Sequence, residues 1–247
     1  DAGEPDETIR RLDLAIELGS VPNALITKAE LMLSLNGDLT LLQRLPEQLP
    51  DRFRGTDRAI FNQFVYALAS GQYEVGLEAL RASSEPWMID FDYTGPTSLP
   101  IGELLLQQGK TELARLKFEE ARAEMTRHPT VTERNFSTIW LDGWILMRLG
   151  RLEEARARNA VVFPELRRPF RMFLGTNWWF SPIPGNLLMG ERAKALALMR
   201  EAVDFQYGRQ IIREALRHDP RMTPWRDDRE ITELLAGPEA RPAPAIP

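Results

Sequence analysis

A recurring glycine constrains this chain more than any other feature. Gly3, Gly37 and Gly71 lie 34 residues apart, and Gly109, Gly150 and Gly190 follow at intervals of 38, 41 and 40. Each opens an amphipathic segment, and a period near 34 belongs to arrays of helix–turn–helix units. One such unit buries only part of its apolar surface by itself, so the chain grows by stacking rather than around a single centre. The stretch Leu99–Ala121 shows the unit best. Gly109 suits the left-handed turn that ends one helix and starts the next. Ala114, Phe118 and Ala121 fall at i, i+4 and i+7 and share one helical face. Gly102 on the preceding helix, together with the two alanines, lets the helices approach closely.

On these residues the chain resembles tetratricopeptide (TPR) repeats. Gly102–Ala121 is the clearest copy, followed by Gly143, Gly150, Leu152 and Ala155. Gly71 with Tyr73 and Leu80, and Gly190 with Ala195, Met199 and Ala202, are partial copies. The resemblance spans nearly the whole chain. It implies an all-α fold, a right-handed superhelical solenoid of about 12 helices over residues 1–236, followed by a proline-rich tail, 237–247. Gly3 stands at the turn of a repeat whose first helix is missing, and the chain starts at Asp1 without Met. The expectation is a piece of something longer.

Local signals place the elements. Helices are expected over 4–19, 22–35, about 56–70, 73–83, 131–149, 151–163, 191–204, 207–217 and 227–236, with a hairpin over 97–127. Prolines punctuate them. Pro46 should cut short a helix that follows Asp38, Pro164 should stop the one that begins near 151, and Pro182 and Pro184 should break or displace the helix expected within 165–189. The segment 83–100 has three prolines and weak periodicity, and reads as an insertion that lengthens the spacing after Gly71.

The end of the chain carries a second resemblance. Leu216–Gly237 is similar to the closing segment of TPR arrays in bacterial signalling proteins, where such arrays follow adenylate cyclase, protein kinase or winged-helix activator domains. The matching residues are Asp219, Pro220, Pro224, Trp225, Arg226, Asp228, Arg229, Leu234 and Leu235. Asp228 stands where a proline is common and Ile231 where a phenylalanine is common. The resemblance implies a cap over 216–236, with Trp225 covering the last hairpin.

Composition excludes several functions. The chain has no cysteine, hence no disulfide, thiolate metal site or cysteine nucleophile. That is compatible with cytoplasm and bacterial periplasm alike. A net charge of −5 disfavours a general nucleic-acid or anionic-membrane binder. No apolar run reaches the length of a membrane span. The two histidines, His128 and His218, read as polar helix ends, and no nucleophile elbow, phosphate loop or zinc-binding histidine pair is present. Neighbouring acids such as Glu119-Glu120 and Glu153-Glu154 do not converge on a helix and read as solvated faces. The expectation is no enzyme, no metal and no cofactor. Arg148, Arg151, Arg156, Arg158, Arg167, Arg168 and Arg171 form a basic run, read as a solvated helix surface in preference to a site for an anionic partner.

The TPR resemblance implies which positions line the concave face: those ten and six residues before each turn glycine. These are Thr27 and Leu31, Phe61 and Val65, Leu99 and Glu103, Trp140 and Trp144, and Phe180 and Pro184. Met147 adds to the face, with Arg58, Trp178 and Trp179 as secondary members. Two readings of the aromatics stand side by side. Either they line an open apolar groove, or they pack within the solenoid beside the irregular segment 165–189. Of Trp178 and Trp179, one is expected inward and the other exposed. Lys28, Arg58 and Asn62 do not reproduce a clamp for a peptide carboxylate. The functional expectation is a protein-interaction or sensory module that takes a peptide or partner domain on apolar anchors. Its rivals are a structural scaffold covered by a second copy of the chain, or an accessory domain of an upstream enzyme or transcriptional regulator.

Overall fold

The computed structural model describes residues 5–19, 21–83, 85–90, 93–128, 136–166, 178–204 and 207–237. In these residues the chain is all-α apart from one small hairpin. The helices are α1 (Pro5–Glu17), α2 (Val21–Asn36), α3 (Thr40–Gln48), α4 (Asp51–Arg54), α5 (Asp57–Ser70) and α6 (Tyr73–Ala82). After strands β1 (Trp87–Ile89) and β2 (Thr94–Pro96) come α7 (Ser98–Gln107), α8 (Thr111–Arg127), α9 (Phe136–Arg148) and α10 (Leu152–Leu166). A 3-10 turn at Trp178–Phe180 leads into α11 (Pro182–Leu188), α12 (Arg192–Ala202) and α13 (Gly208–His218), and a second at Pro220–Trp225 leads into α14 (Arg229–Leu235). The tail beyond Gly237, the segment 167–177 and the turn at Gly3 lie outside the described residues.

Consecutive helices pair as hairpins, α5 with α6, α7 with α8, α9 with α10 and α11 with α12. The recurring glycine makes each bend. Gly109 adopts φ 73, where only glycine is unstrained, and its N–H and that of Lys110 return to Leu106 and Leu105 carbonyls at 3.0 Å each. Gly102 serves a different need. A Cβ there would lie 2.5 Å from the Phe118 ring, so the absence of a side chain is what seats α8 on α7.

Two expected stops do not stop their helices. α3 runs through Pro46 to Gln48. Proline removes the hydrogen bond to the carbonyl four residues back, here Leu42, and that carbonyl accepts instead from Gln63 Nε2 of α5 at 3.4 Å. α10 likewise continues through Pro164 to Leu166. At Pro182 the expectation holds: the prolines sit in the first turn of α11, where a missing N–H costs nothing.

The insertion 83–100 supplies the hairpin, with Trp87 opposite Pro96, Met88 opposite Gly95 and Ile89 opposite Thr94. Trp87 and Met88 point into the protein, and Tyr93 just before β2 is buried, its hydroxyl donating to Pro96 O at 2.7 Å. At the C-terminal end, Ile231 is buried, Trp225 packs partly buried against the core, and Asp228 caps α14 through the backbone N–H groups of Glu230 and Ile231.

The first and last parts of the chain meet. α13 packs on α2, where Gln210 Nε2 donates to Leu35 O at 2.7 Å. The left-handed Gly37 lies against Glu214 and His218 of α13, closely enough that a Cβ would come within 2.6 Å of both side chains. Stacked hairpins that contact only their neighbours would leave this seam open.

Candidate functional site

The inner surfaces of α5, α7 and α9 face one interior. Phe61, Val65, Leu99, Glu103, Trp140, Trp144, Met147 and Phe180 are all buried there, none more than 8% exposed. Phe180 is the hub. Its ring centroid lies 5.7 Å from Phe64 (stacked), 5.2 Å from Tyr93, 5.3 Å from Trp144 (edge-on) and 6.4 Å from Phe61. Phe61 in turn stacks on Tyr93 at 5.1 Å. Phe180 is delivered by the 3-10 turn, whose position is fixed by Trp140 Nε1 donating to Phe180 O at 2.6 Å. An aromatic side chain buried this way contributes about 1.5–3 kcal/mol from burial, with a further increment from ring geometry.

Trp178 and Trp179 are both buried, which corrects the expectation of one exposed indole. Each Trp–Trp–Phe residue is committed inward. Trp178 Nε1 donates to Asp219 Oδ2 at 3.0 Å, and Trp179 gives its carbonyl to Arg221 Nη2 at 2.6 Å.

The centre of the interior is ionic. Glu103, fully buried, accepts from Arg148 Nε and Nη2 at 2.6 Å each, from Trp144 Nε1 at 2.8 Å and from Arg221 Nη1 at 3.4 Å. Arg221 also clasps Asp219 through Nε at 2.8 Å and Nη2 at 2.7 Å, and its guanidinium lies over the Trp144 ring at 5.2 Å. Burial pushes the Glu103 pKa up, yet the two arginines and the Trp144 bond outweigh it and hold the carboxyl below its ordinary range. Burial works against the charge on Arg221 as well, and Asp219 with Glu103 more than restores it. Tyr93, buried beside this cluster, has its hydroxyl pKa pushed well up by burial and by Glu124 and Glu103. All the charges here are spent on one another, an arrangement suited to holding segments together rather than to moving protons.

Arg58, the other secondary member, and the neighbouring Asn62 and Lys28 bond within the chain. Arg58 bonds Thr27 Oγ1 at 3.0 Å and Glu30 Oε2 at 3.2 Å, Asn62 bonds Glu30 Oε1 at 3.0 Å, and Lys28 pairs with Asp13. Of the basic run, Arg148 is internal, Arg151 pairs with Glu154, Arg156 with Glu153 and Glu191, and Arg158 with Asp142. Arg167, Arg168 and Arg171 lie outside the described residues. Between α2, α5 and Trp179 a void of about 10 Å³ is lined by Glu30, Phe61, Asn62 and Val65, room for a single water.

Sequence reasoning placed Glu103 on the inner face but missed its partner Arg221, which lies more than a hundred residues away along the chain and also holds Asp219. One signal was available: Glu103 is the lone charge in the apolar helix LPIGELLL, and a charge on a buried face needs a counter-ion. Among the described residues no group of three or more acidic or histidine side chains could hold a metal ion, and no helix is long and apolar enough to cross a membrane. The fold and the site together define an all-α protein of paired helices around an aromatic and ionic interior. Comparison of the chain with known protein families, curated proteins and solved structures returns no match.

Proposed function

We propose that residues 1–236 form a TPR-like α-solenoid acting as a non-enzymatic interaction module of regulatory or sensory type. Its partner site is the inner face now engaged by Trp178–Phe180 and Arg221. One observation carries the reading. The inner face holds its own chain as such a groove holds a ligand, with an aromatic anchor, Phe180, and a charge clamp, Glu103 with Arg148 and Arg221. A protein or peptide with an aromatic anchor is the occupant this chemistry suits, in preference to nucleic acid or a membrane.

A labelled peptide of residues 176–184, titrated into the Phe180→Ala variant, tests the reading by fluorescence anisotropy. Saturable binding that weakens on adding Trp144→Ala is the expected result. A folded variant that ignores the peptide would sink it. That outcome would favour the second reading, a structural scaffold, which the small residual void and the α2–α13 seam support. A light-scattering mass twice that of the chain would then point to a homodimer.

A further inference from the structure

A second concavity lies away from the inner face, between α13, the turn that follows it, and α14. It has a volume of about 350 Å³ and is lined by Arg213, Leu216, Arg217, Arg226, Thr232, Leu235 and Ala236. That size is at the small end of the range for ligand sites, which combine an apolar lining with a few fixed polar groups. Leu216 and Leu235 are buried core residues whose edges form the floor.

The arginines differ in what they already hold. Arg217 is paired with Glu214 at 3.0 Å. Arg213 donates to Gln210 Oε1 at 2.8 Å and Leu235 O at 2.7 Å, and Arg226 to Leu216 O at 2.8 Å and Asp219 O at 3.4 Å. All four of those acceptors are uncharged. No carboxylate among the described residues pairs with Arg213 or Arg226, in contrast to Arg148 and Arg221, which Glu103 and Asp219 hold. A guanidinium has five N–H donors, so two bonds to carbonyls position each head group and leave donors to spare.

We infer that this pocket binds a small aliphatic carboxylate, its anionic end between Arg213 and Arg226 and its hydrocarbon on Leu216, Leu235 and Ala236. The planar fork of arginine matches a carboxylate at two points, and the apolar floor gains from being covered. A bare inorganic anion would satisfy the cations but leave the floor wet.

Isothermal titration of the full chain with octanoate tests this, with octanol and inorganic phosphate as comparisons. One octanoate per chain should bind saturably, with octanol and phosphate at least about tenfold weaker, since a charge-assisted bond and a buried hydrocarbon are each worth a factor of that order. Arg226→Ala and Arg213→Ala should each weaken octanoate by about tenfold or more. Both side chains also hold helix-end carbonyls, so Thr232→Glu provides a second arm. It places a competing carboxylate at the exposed rim, and should abolish binding while the circular dichroism and melting temperature stay unchanged. The proposal is overturned if octanoate does not bind, if it binds Thr232→Glu as well as the parent, or if phosphate binds equally.

Discussion

Glu103 on α7 and Arg148 on α9 form a two-point ion pair whose carboxylate is wholly removed from water, 45 residues apart in sequence. The same carboxylate answers Arg221 from the far end of the chain. One acid therefore ties together two helical hairpins and the C-terminal turn.

Removing that acid leaves two inward arginines with too little counter-charge. Glu103→Ala should cost about 3–5 kcal/mol, the usual penalty for stranding a buried charge, measured by urea denaturation. Because a buried pair returns little net energy over an apolar replacement, Glu103→Leu combined with Arg148→Met should recover part of the loss. A single-variant cost under about 1 kcal/mol would mean water reaches the cluster.

Gly102→Ala places a methyl 2.5 Å from the Phe118 ring. Overpacking of this kind costs about 1–3 kcal/mol. Phe118→Leu by itself is destabilising, yet it should relieve the Gly102→Ala penalty, so a double-mutant cycle should show coupling of favourable sign. Additive costs would indicate that the helices separate rather than clash.

Gly109 and Gly37 share left-handed backbone but not surroundings: a Cβ at Gly109 meets open space, whereas one at Gly37 meets Glu214 and His218. Gly109→Ala should cost only backbone strain, about 1–2 kcal/mol. Gly37→Ala should cost more, and should accelerate hydrogen exchange in α13 as well as α2 by loosening their seam. Exchange confined to α2 would show that the two ends are not coupled.

His218 sits in that seam beside Glu214, with Arg217 and Arg226 near by. Burial is the main cause of its lowered pKa, reinforced by the two arginines and opposed by Glu214. The unfolded residue takes up a proton near 6.5 and the folded one only at lower pH. In that window the unfolded state binds more protons, so stability is full above the unfolded value and is lost as pH falls through it. The urea midpoint should therefore drop between pH 7.5 and 5.5, and His218→Gln should flatten the drop. An unchanged slope in the variant would assign the pH dependence to other groups.

Much of the fold is legible because it is local. The glycine at each bend, the i, i+4, i+7 stripe of Ala114, Phe118 and Ala121, and the close approach at Gly102 are short-range demands that a helical period expresses directly. Pro46 shows where this stops. Its local signal is a helix end, and the helix continues because Gln63, 21 residues further along the chain than Leu42, donates to the Leu42 carbonyl that proline abandons. The fate of Trp178 and Trp179 was equally illegible, since an aromatic run is apolar wherever it goes and only its neighbours decide whether it is covered.

From sequence alone follow the helical class, the positions of the bends and the apolar face of each helix, since each is dictated by side-chain spacing along a single helix. Only the tertiary structure decides what that face meets. Nothing in the spacing of Phe61, Trp140 or Trp144 says that Phe180 will be set among them, or that Glu103 will find Arg221. Those pairings depend on how the hairpins stack and how α13 returns to α2, and the free energy of such contacts exists only once distant segments have been brought together.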